Sequence, residues 1–374
     1  MSDVATAVVL SRGRVALVET PSRTALELPG GRLEAGESAR LAAARELAEE
    51  TGIVVDPGCL HDLDLCIDAP GDVRLVPFAL AVAAPAPAGG ELRTRWITIA
   101  ALSRTPTAPG VARSVHRALE RLGVALAPPA ALISWWAPRR DALPWRATRD
   151  PYAVLVCEVM SQQTQIERVR GYWERWIERW PTADALAGAP LVEVLRAWDG
   201  LGYPRRARAL HACARRIAAQ GWPPPRELSS LPGVGRYTAD AIRCFAFGEA
   251  VLPRDANVRR VLARRFPGGL RGGGDRWALA GALMDAGRAH CRAVPRCDGC
   301  PLRDGCLVAS GGFDPVVRPR RQSSYAGSLR ERRGTLLRAV LAGERPAAAA
   351  DPSAAASLLA DRLAIQVGAV LVAP

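Results

Sequence analysis

The chain of 374 residues lacks lysine altogether: all fifty basic side chains are arginine. A lysine Schiff base is therefore closed to it. No uncharged apolar run reaches the roughly eighteen residues that a membrane helix needs, so no membrane partner is expected. The N-terminus has no basic stretch followed by an apolar segment, so no secretion signal is read. A cytoplasmic, nucleoid-associated monomer is expected. The nine cysteines are an odd count, which argues against a disulfide framework in such a compartment. Apolar residues make up 49%, enough for ordinary cores, so neither global disorder nor a fibrous chain fits. At roughly 150 residues per domain the length suggests two or three domains.

The charge is unevenly placed. Residues 1–127 carry 13 arginines and 15 acids, a net of −2. The remainder carries 37 arginines and 22 acids, a net of +15. A genomic preference for arginine codons accounts for the missing lysine but not for this asymmetry. A basic body joined to a near-neutral one points to a polyanionic partner for the second part.

Punctuation divides the chain. Val124–Ala130 is rich in Pro and Ala. Before it, strand-like runs at Ala5–Leu10, Val15–Val18, Leu75–Ala83 and Arg95–Ile99 alternate with helical patterns at Ser38–Thr51 and Val111–Leu122, an α/β mixture. After it the pattern is helical, and nine of the ten tryptophans lie there. A second boundary falls at Ala309–Gly312. The tail shows an arginine-rich amphipathic helix at Ser328–Leu341, a second helix at Ser353–Leu363 and a short apolar end. The expected domains are therefore 1–126, 131–308 and 313–374.

Three carboxylates crowd one helix face. In Arg45-Glu46-Leu47-Ala48-Glu49-Glu50, Glu46 and Glu50 stand one turn apart, with Glu49 three residues from Glu46. Such a cluster repels itself unless a cation intervenes, and hard divalent ions favour it. The plain alternative is a solvated acidic face. Upstream, Gly30-Gly31 permits a tight turn, and Glu37 precedes the helix. The full spacing Gly31…Glu37…Arg45-Glu46-Leu-Ala-Glu49-Glu50-Thr-Gly resembles the Nudix box, over roughly residues 4–122. The resemblance implies a mixed sheet between helices. It implies Mg²⁺ or Mn²⁺ on Glu46, Glu49 and Glu50 with Glu37 in support, and water attack on a nucleoside diphosphate linkage. Leu26 stands where oxidised-nucleotide hydrolases often carry Trp, which leaves the nucleoside open.

Leu231-Pro-Gly233-Val-Gly235-Arg-Tyr237 places glycines two apart before a helix, so that successive backbone N–H groups can meet a phosphate. With Leu143-Pro-Trp-Arg146, Glu158-Val-Met-Ser-Gln-Gln163-Thr164, Gly200-Leu-Gly-Tyr203 and Asp255-Ala-Asn257-Val, the stretch 131–308 resembles MutY-type adenine DNA glycosylases of the helix-hairpin-helix superfamily. The resemblance implies an all-α fold on duplex DNA holding adenine opposite 8-oxoguanine or guanine. Base release needs the base out of the stack, a proton on the leaving purine and a stabilised sugar cation. The resemblance gives Glu158 the proton and Asp255 the cation, with Tyr237 and Asn257 shaping that site. On residues alone, Glu158 is equally a capping or paired acid and Asp255 an N-cap. Arg146, Gln163, Thr164, Tyr203, Gly233 and Gly235 are the expected DNA contacts. Pro204 replaces the second tyrosine of the usual wedge pair. Tyr237 stands where strand-nicking relatives carry lysine, so an intact strand with an abasic site is expected.

Cys291, Cys297, Cys300 and Cys306 follow a C-x5-C-x2-C-x5-C spacing that calls for a metal. Spacing alone leaves zinc open. The resemblance implies a [4Fe–4S] cluster in the 291–306 loop, although the family's first gap is usually six. Cys59, Cys66, Cys157, Cys213 and Cys244 read as small core residues. Residues 313–374 are too few for the usual 8-oxoguanine-reading domain and read as a short helical extension. The front domain is thus read as a hydrolase of oxidised nucleotides or as a sensor of 8-oxoguanine. A mismatch glycosylase of other base specificity and a non-catalytic DNA-structure binder are the remaining alternatives.

Overall fold

The computed structural model describes residues 2–21, 23–85, 89–272, 274–311, 313–316 and 324–374. Gly312, at the expected second boundary, lies outside the described residues. Two compact units form, each from several stretches of chain. The first comprises Met1–Ala137, Asp255–Gly274 and Gly281–Arg318; the second comprises Pro138–Arg254, Asp275–Ala280 and Pro319–Pro374. Part of the cysteine-bearing helical region thus packs with the N-terminal domain.

In the first unit a sheet is built from β1 (Ser2–Ser11), β2 (Arg14–Glu19), β3 (Gly30–Arg32), β4 (His61–Asp62), β5 (Ile67–Ala69), β6 (Val73–Ala81) and β7 (Arg93–Thr98). The order is β4-β6-β1-β2-β7, with β3 beside β1 and β5 beside β6. β1 and β6 run parallel and the other pairs antiparallel, so the sheet is mixed. The central strand β1 is apolar on both faces, as a strand covered on both sides must be. Ala5, Ala7 and Val9 meet Ala42, Ala43 and Leu47 of the Ala39–Thr51 helix. Val8 and Leu10, with Val15 and Leu17 of β2, meet Val115 and Leu119 of the Val111–Arg121 helix. Ser38 caps the first of these helices, its hydroxyl accepting from the Leu41 N–H, and Gly52 ends it in the left-handed region. The box glutamates therefore sit on a helix fixed at both ends.

The rest of the first unit is joined to this sheet domain by specific bonds. The His116 Nε2 lies 2.8 Å from the Ala263 carbonyl, on the Ala256–Arg265 helix. His116 also meets the Phe313 ring edge-on at 5.2 Å. The Leu126 N–H donates to the Gly269 carbonyl, and the Gly305 N–H to the Ser103 hydroxyl.

The second unit is helical around a tryptophan core. Trp176 packs edge-on against Trp180 and Trp198, at 4.7 and 5.6 Å. The tail belongs to this core: the Leu329–Leu341 helix buries Leu337, Val340 and Leu341, and the Pro352–Ala360 helix buries Leu358. The apolar end differs from the expectation of a helical extension. Ile365–Val367 and Val370–Val372 pair as a two-stranded hairpin, because alternating valines flank a Gly368-Ala369 turn. Two cysteines also differ. Cys157, Cys213 and Cys244 are buried as expected, but Cys59 and Cys66 are exposed, Cys59 at the end of a single Pro57–Cys59 turn that buries none of its residues. Among the described residues no helix is long and apolar enough to cross a membrane.

His116 gives this fold a pH dependence. Burial holds its imidazole below the usual range, only partly offset by the Ala263 carbonyl. A depressed folded-state value means that stability is full above the unfolded value of about 6.5 and is lost as pH falls through the folded one. Thermal melts between pH 7.5 and 5 should therefore show a steeper loss in the wild type than in His116→Gln. Equal slopes would remove His116 as the cause.

Candidate functional sites

The carboxylate helix carries a built cluster. Arg45 donates from Nε and Nη2 to both oxygens of Glu37, each at 3.1 Å. Its Nη1 reaches Glu46 at 2.9 Å and Glu49 at 3.0 Å. One guanidinium thus gathers three acids that would otherwise repel, and these bonds raise its own pKa further. Glu50 stands apart: its Oε2 accepts from the Gly30 N–H at 2.8 Å. Burial pushes Glu50 up to about 7, against the lowering effect of that bond, with Glu46 and Glu27 adding repulsion. A half-buried carboxylate beside like charges is one that a divalent cation would return to the ionised form.

Asp255 is the N-cap of the Ala256–Arg265 helix, as the plain reading had it, but the cap is part of a chain. Its Oδ1 accepts from the Val258 N–H at 2.6 Å and its Oδ2 from Asn257 Nδ2 at 2.9 Å. The Asn257 Oδ1 accepts from Arg260 Nη2 at 2.7 Å. Arg260 also donates to the carbonyls of Gly287 and Cys291. One turn on, Arg264 makes a two-pronged bond to Asp314, at 2.9 and 2.6 Å, and donates to the Cys291 Sγ at 3.4 Å. Asn257, Arg260 and Arg264 fall at three- and four-residue steps on one helix face, which ties the carboxylate to the first cysteine's loop.

The four clustered cysteines share one neighbourhood. Burial pushes the Cys300 thiol up to about 11, and Cys291, Cys306 and Cys297 all raise it further through their charges. Arg265 lies beside Cys306 and Cys300, 7% exposed, and its Nε and Nη1 have no hydrogen-bond partner. Two buried, unpaired donors of Arg265 beside these thiols are what an anionic metal–thiolate group would satisfy. The donor set therefore fits a metal cofactor. Among the described residues, however, no three His, Cys, Asp or Glu side chains are set close enough to hold a metal as they stand. In these loops Arg292 donates to the Arg288 carbonyl and Arg303 to Asp298.

In the second unit, Glu158 lies half-buried on the Pro151–Ser161 helix, which packs against the Arg236–Phe245 helix carrying Tyr237. Asp150 caps the first of these, accepting from the Tyr152 and Ala153 N–H groups. Arg146 lies in the short Pro144–Ala147 helix and acts electrostatically on Cys157. The hairpin is formed: Gly233 takes φ +77, and a Cβ there would lie 2.8 Å from the Ala209 Cβ. Open space surrounds Gly235, the exposed N-cap of the Tyr237 helix. Glu158 and Tyr237 belong to the second unit, and Asp255 and Asn257 to the first.

Gln163 and Tyr203 both adopt left-handed backbone conformations, φ +56 and +49. A single arginine that the sequence motifs do not single out holds them. Arg206 donates from Nη1 to the carbonyls of Val159, Met160 and Gln162, at 2.8, 3.0 and 2.5 Å. Its Nη2 reaches the Leu201 and Gly202 carbonyls at 3.0 and 2.9 Å and the Thr164 hydroxyl at 3.1 Å. Its guanidinium also lies over the Trp198 and Tyr203 rings. Burial lowers Arg206 to about 10, which leaves it charged at neutral pH. Sequence offers no mark for this role, since Arg205, Arg206 and Arg208 read alike and only the fold turns one of them inward.

Two stretches of the chain match known families. The NUDIX domain family matches residues 1–118, and the HhH-GPD superfamily of base excision DNA repair proteins matches 156–268. The adenine DNA glycosylase of Mycolicibacterium smegmatis is 43% identical over 231 residues, 56% of this chain and 78% of that protein. The chain belongs to the adenine DNA glycosylase family. Its Mycobacterium tuberculosis H37Rv relative is 42% identical over 245 residues, 59% of this chain and 80% of that one. The human relative is 42% identical over 175 residues, 42% of this chain and 32% of that protein. This family member is a multidomain protein in which a Nudix domain precedes a helical base-excision repair glycosylase.

Within the family fold, Gly233 is the hairpin position open to the simplest test. Gly233→Ala should cost about 1–2 kcal/mol from backbone strain alone, and more from the Ala209 contact. Denaturant unfolding should report this loss together with weakened DNA binding; an unaffected midpoint would contradict the geometry.

Proposed function

We propose that the chain removes adenine paired with 8-oxoguanine or guanine in duplex DNA and leaves an abasic site. The observation that carries this reading is the fixing of Asp255. Both of its oxygens are held, by Val258 N–H and by Asn257, so that the carboxylate is oriented before any substrate arrives. A preoriented anion stabilises a positively charged sugar without reorganising at the moment of reaction. Glu158 supplies the proton to the departing purine, as a carboxyl group in a different environment can. Tyr237 and Asn257 shape this site. With Tyr237 at the position of the strand-nicking lysine and no lysine in the chain, no Schiff base follows base release. Arg146, Gln163, Thr164, Tyr203, Gly233 and Gly235 meet the duplex. Arg206 positions Gln163 and Tyr203 for that contact.

Cys291, Cys297, Cys300 and Cys306 would hold a [4Fe–4S] cluster, whose chemistry here is structural and electrostatic. Arg264 and Arg265 supply the positive charges that its thiolates require. Absorbance near 400 nm and iron in the purified protein are expected; zinc without such absorbance would overturn this assignment.

In the Nudix domain, Glu37, Glu46, Glu49 and Glu50 would hold Mg²⁺ or Mn²⁺, which polarises a nucleoside diphosphate linkage toward water. Arg45 keeps the first three of these acids converged. The intact box favours hydrolysis over a sensor role. Glu49→Gln should then abolish metal-dependent hydrolysis of 8-oxo-dGTP. A wild type inactive across a panel of nucleotides would leave only the sensor.

For the glycosylase, Glu158→Gln should retain affinity for the mispaired duplex and lose base release by a factor of about 100 or more. Undiminished release would reject Glu158 as the acid.

A further inference from the structure

A groove in the second unit extends from Gln163 and Tyr203 to residues of the C-terminal segment that have no role above. Its volume is 740 Å³, within the roughly 300–1,000 Å³ of ligand-binding clefts. One wall is the wedge loop with Gln163 and Tyr203; the other is the C-terminal Leu329–Leu341 helix. The floor is apolar, with Trp198, Leu195, Leu341 and Leu358.

The helical wall is patterned for this groove. Arg330, Gly334, Leu337, Arg338 and Leu341 recur at three- and four-residue steps, so that one face both enters the core and lines the cleft. Gly334 interrupts the helix interior, a position that ordinarily weakens a helix. The Tyr325 hydroxyl lies close to Gly334, 3.4 Å from where a Cβ would stand, and both line the groove. Tyr325 itself is 53% exposed.

The charge is one-sided. Arg168, Arg205, Arg330, Arg333 and Arg338 line the groove against one acid, Asp199. Asp361 nearby pairs with Arg205 and Arg333. Five arginines against these two acids give the groove a net positive lining. A basic cleft with an exposed aromatic ring over an apolar floor matches the requirements of a nucleic-acid strand: phosphates on guanidiniums and an unstacked base on a ring.

We propose that this groove binds a segment of DNA strand beside the Tyr203 wedge, with the C-terminal extension supplying the phosphate contacts and Tyr325 the stacking surface. The inference rests on the glycosylase reading, and it gives the short tail a direct part in recognising damaged DNA.

The test uses the full chain and a duplex with a tetrahydrofuran abasic analogue opposite 8-oxoguanine, titrated over a range of salt. Arg330→Gln with Arg338→Gln should weaken binding at least about tenfold and flatten the slope of log K against log salt by about two. Lysine at both positions should restore the slope. Tyr325→Ala should weaken binding with the slope unchanged. Wild-type affinity and slope in the double glutamine variant would overturn the groove, as would equal displacement of DNA by polyglutamate. Adenine release by the wild type is measured in parallel. Its absence would strike the glycosylase reading, while the variants' binding still decides the groove.

Discussion

The structure depends on guanidiniums that satisfy backbone carbonyls. A guanidinium presents five donors in a fixed plane, so one buried arginine can bind several loop carbonyls that no helix or strand would pair. Arg206 does this for the ends of the loops bearing Gln163 and Tyr203. Arg260 and Arg264 do it for the loop bearing Cys291. Lysine, with a single ammonium on a flexible stem, could not span these carbonyl sets. The missing lysine thus has a structural counterpart as well as a chemical one.

The same device links the sites of the first unit. Asp255 is held by Asn257, Asn257 by Arg260, and Arg260 by the Cys291 carbonyl. Any shift of the cysteine loop is felt at the carboxylate through three bonds. The sheet domain is fastened to the same helix through His116 and Ala263. The Nudix domain is therefore a packing partner of the helix that presents Asp255, whatever its own substrate.

Much of this was legible beforehand, for identifiable reasons. Strands β1, β2, β6 and β7 were readable as apolar runs, whereas β3, β4 and β5, of two or three residues each, were too short to show a pattern. The Ala39–Thr51 helix was readable because Ser38 and Gly52 mark its ends. The Gly233 hairpin was readable because its conformation excludes other residues. Arg206, Arg260 and Arg264 were not, since an arginine turned inward has the same neighbours in sequence as one in solvent. The exposure of Cys59 and Cys66 and the closing Ile365–Val372 hairpin escaped for a related reason. Short apolar stretches do not reveal what covers them until the fold supplies a partner.

The central claim is that base release occurs without strand scission. One incubation decides it: a duplex with adenine opposite 8-oxoguanine, or opposite guanine or cytosine, analysed with and without hot alkali. The account predicts strand breaks only after alkali, and only where adenine faces 8-oxoguanine or guanine. Breaks without alkali, or equal cleavage opposite cytosine, would contradict it.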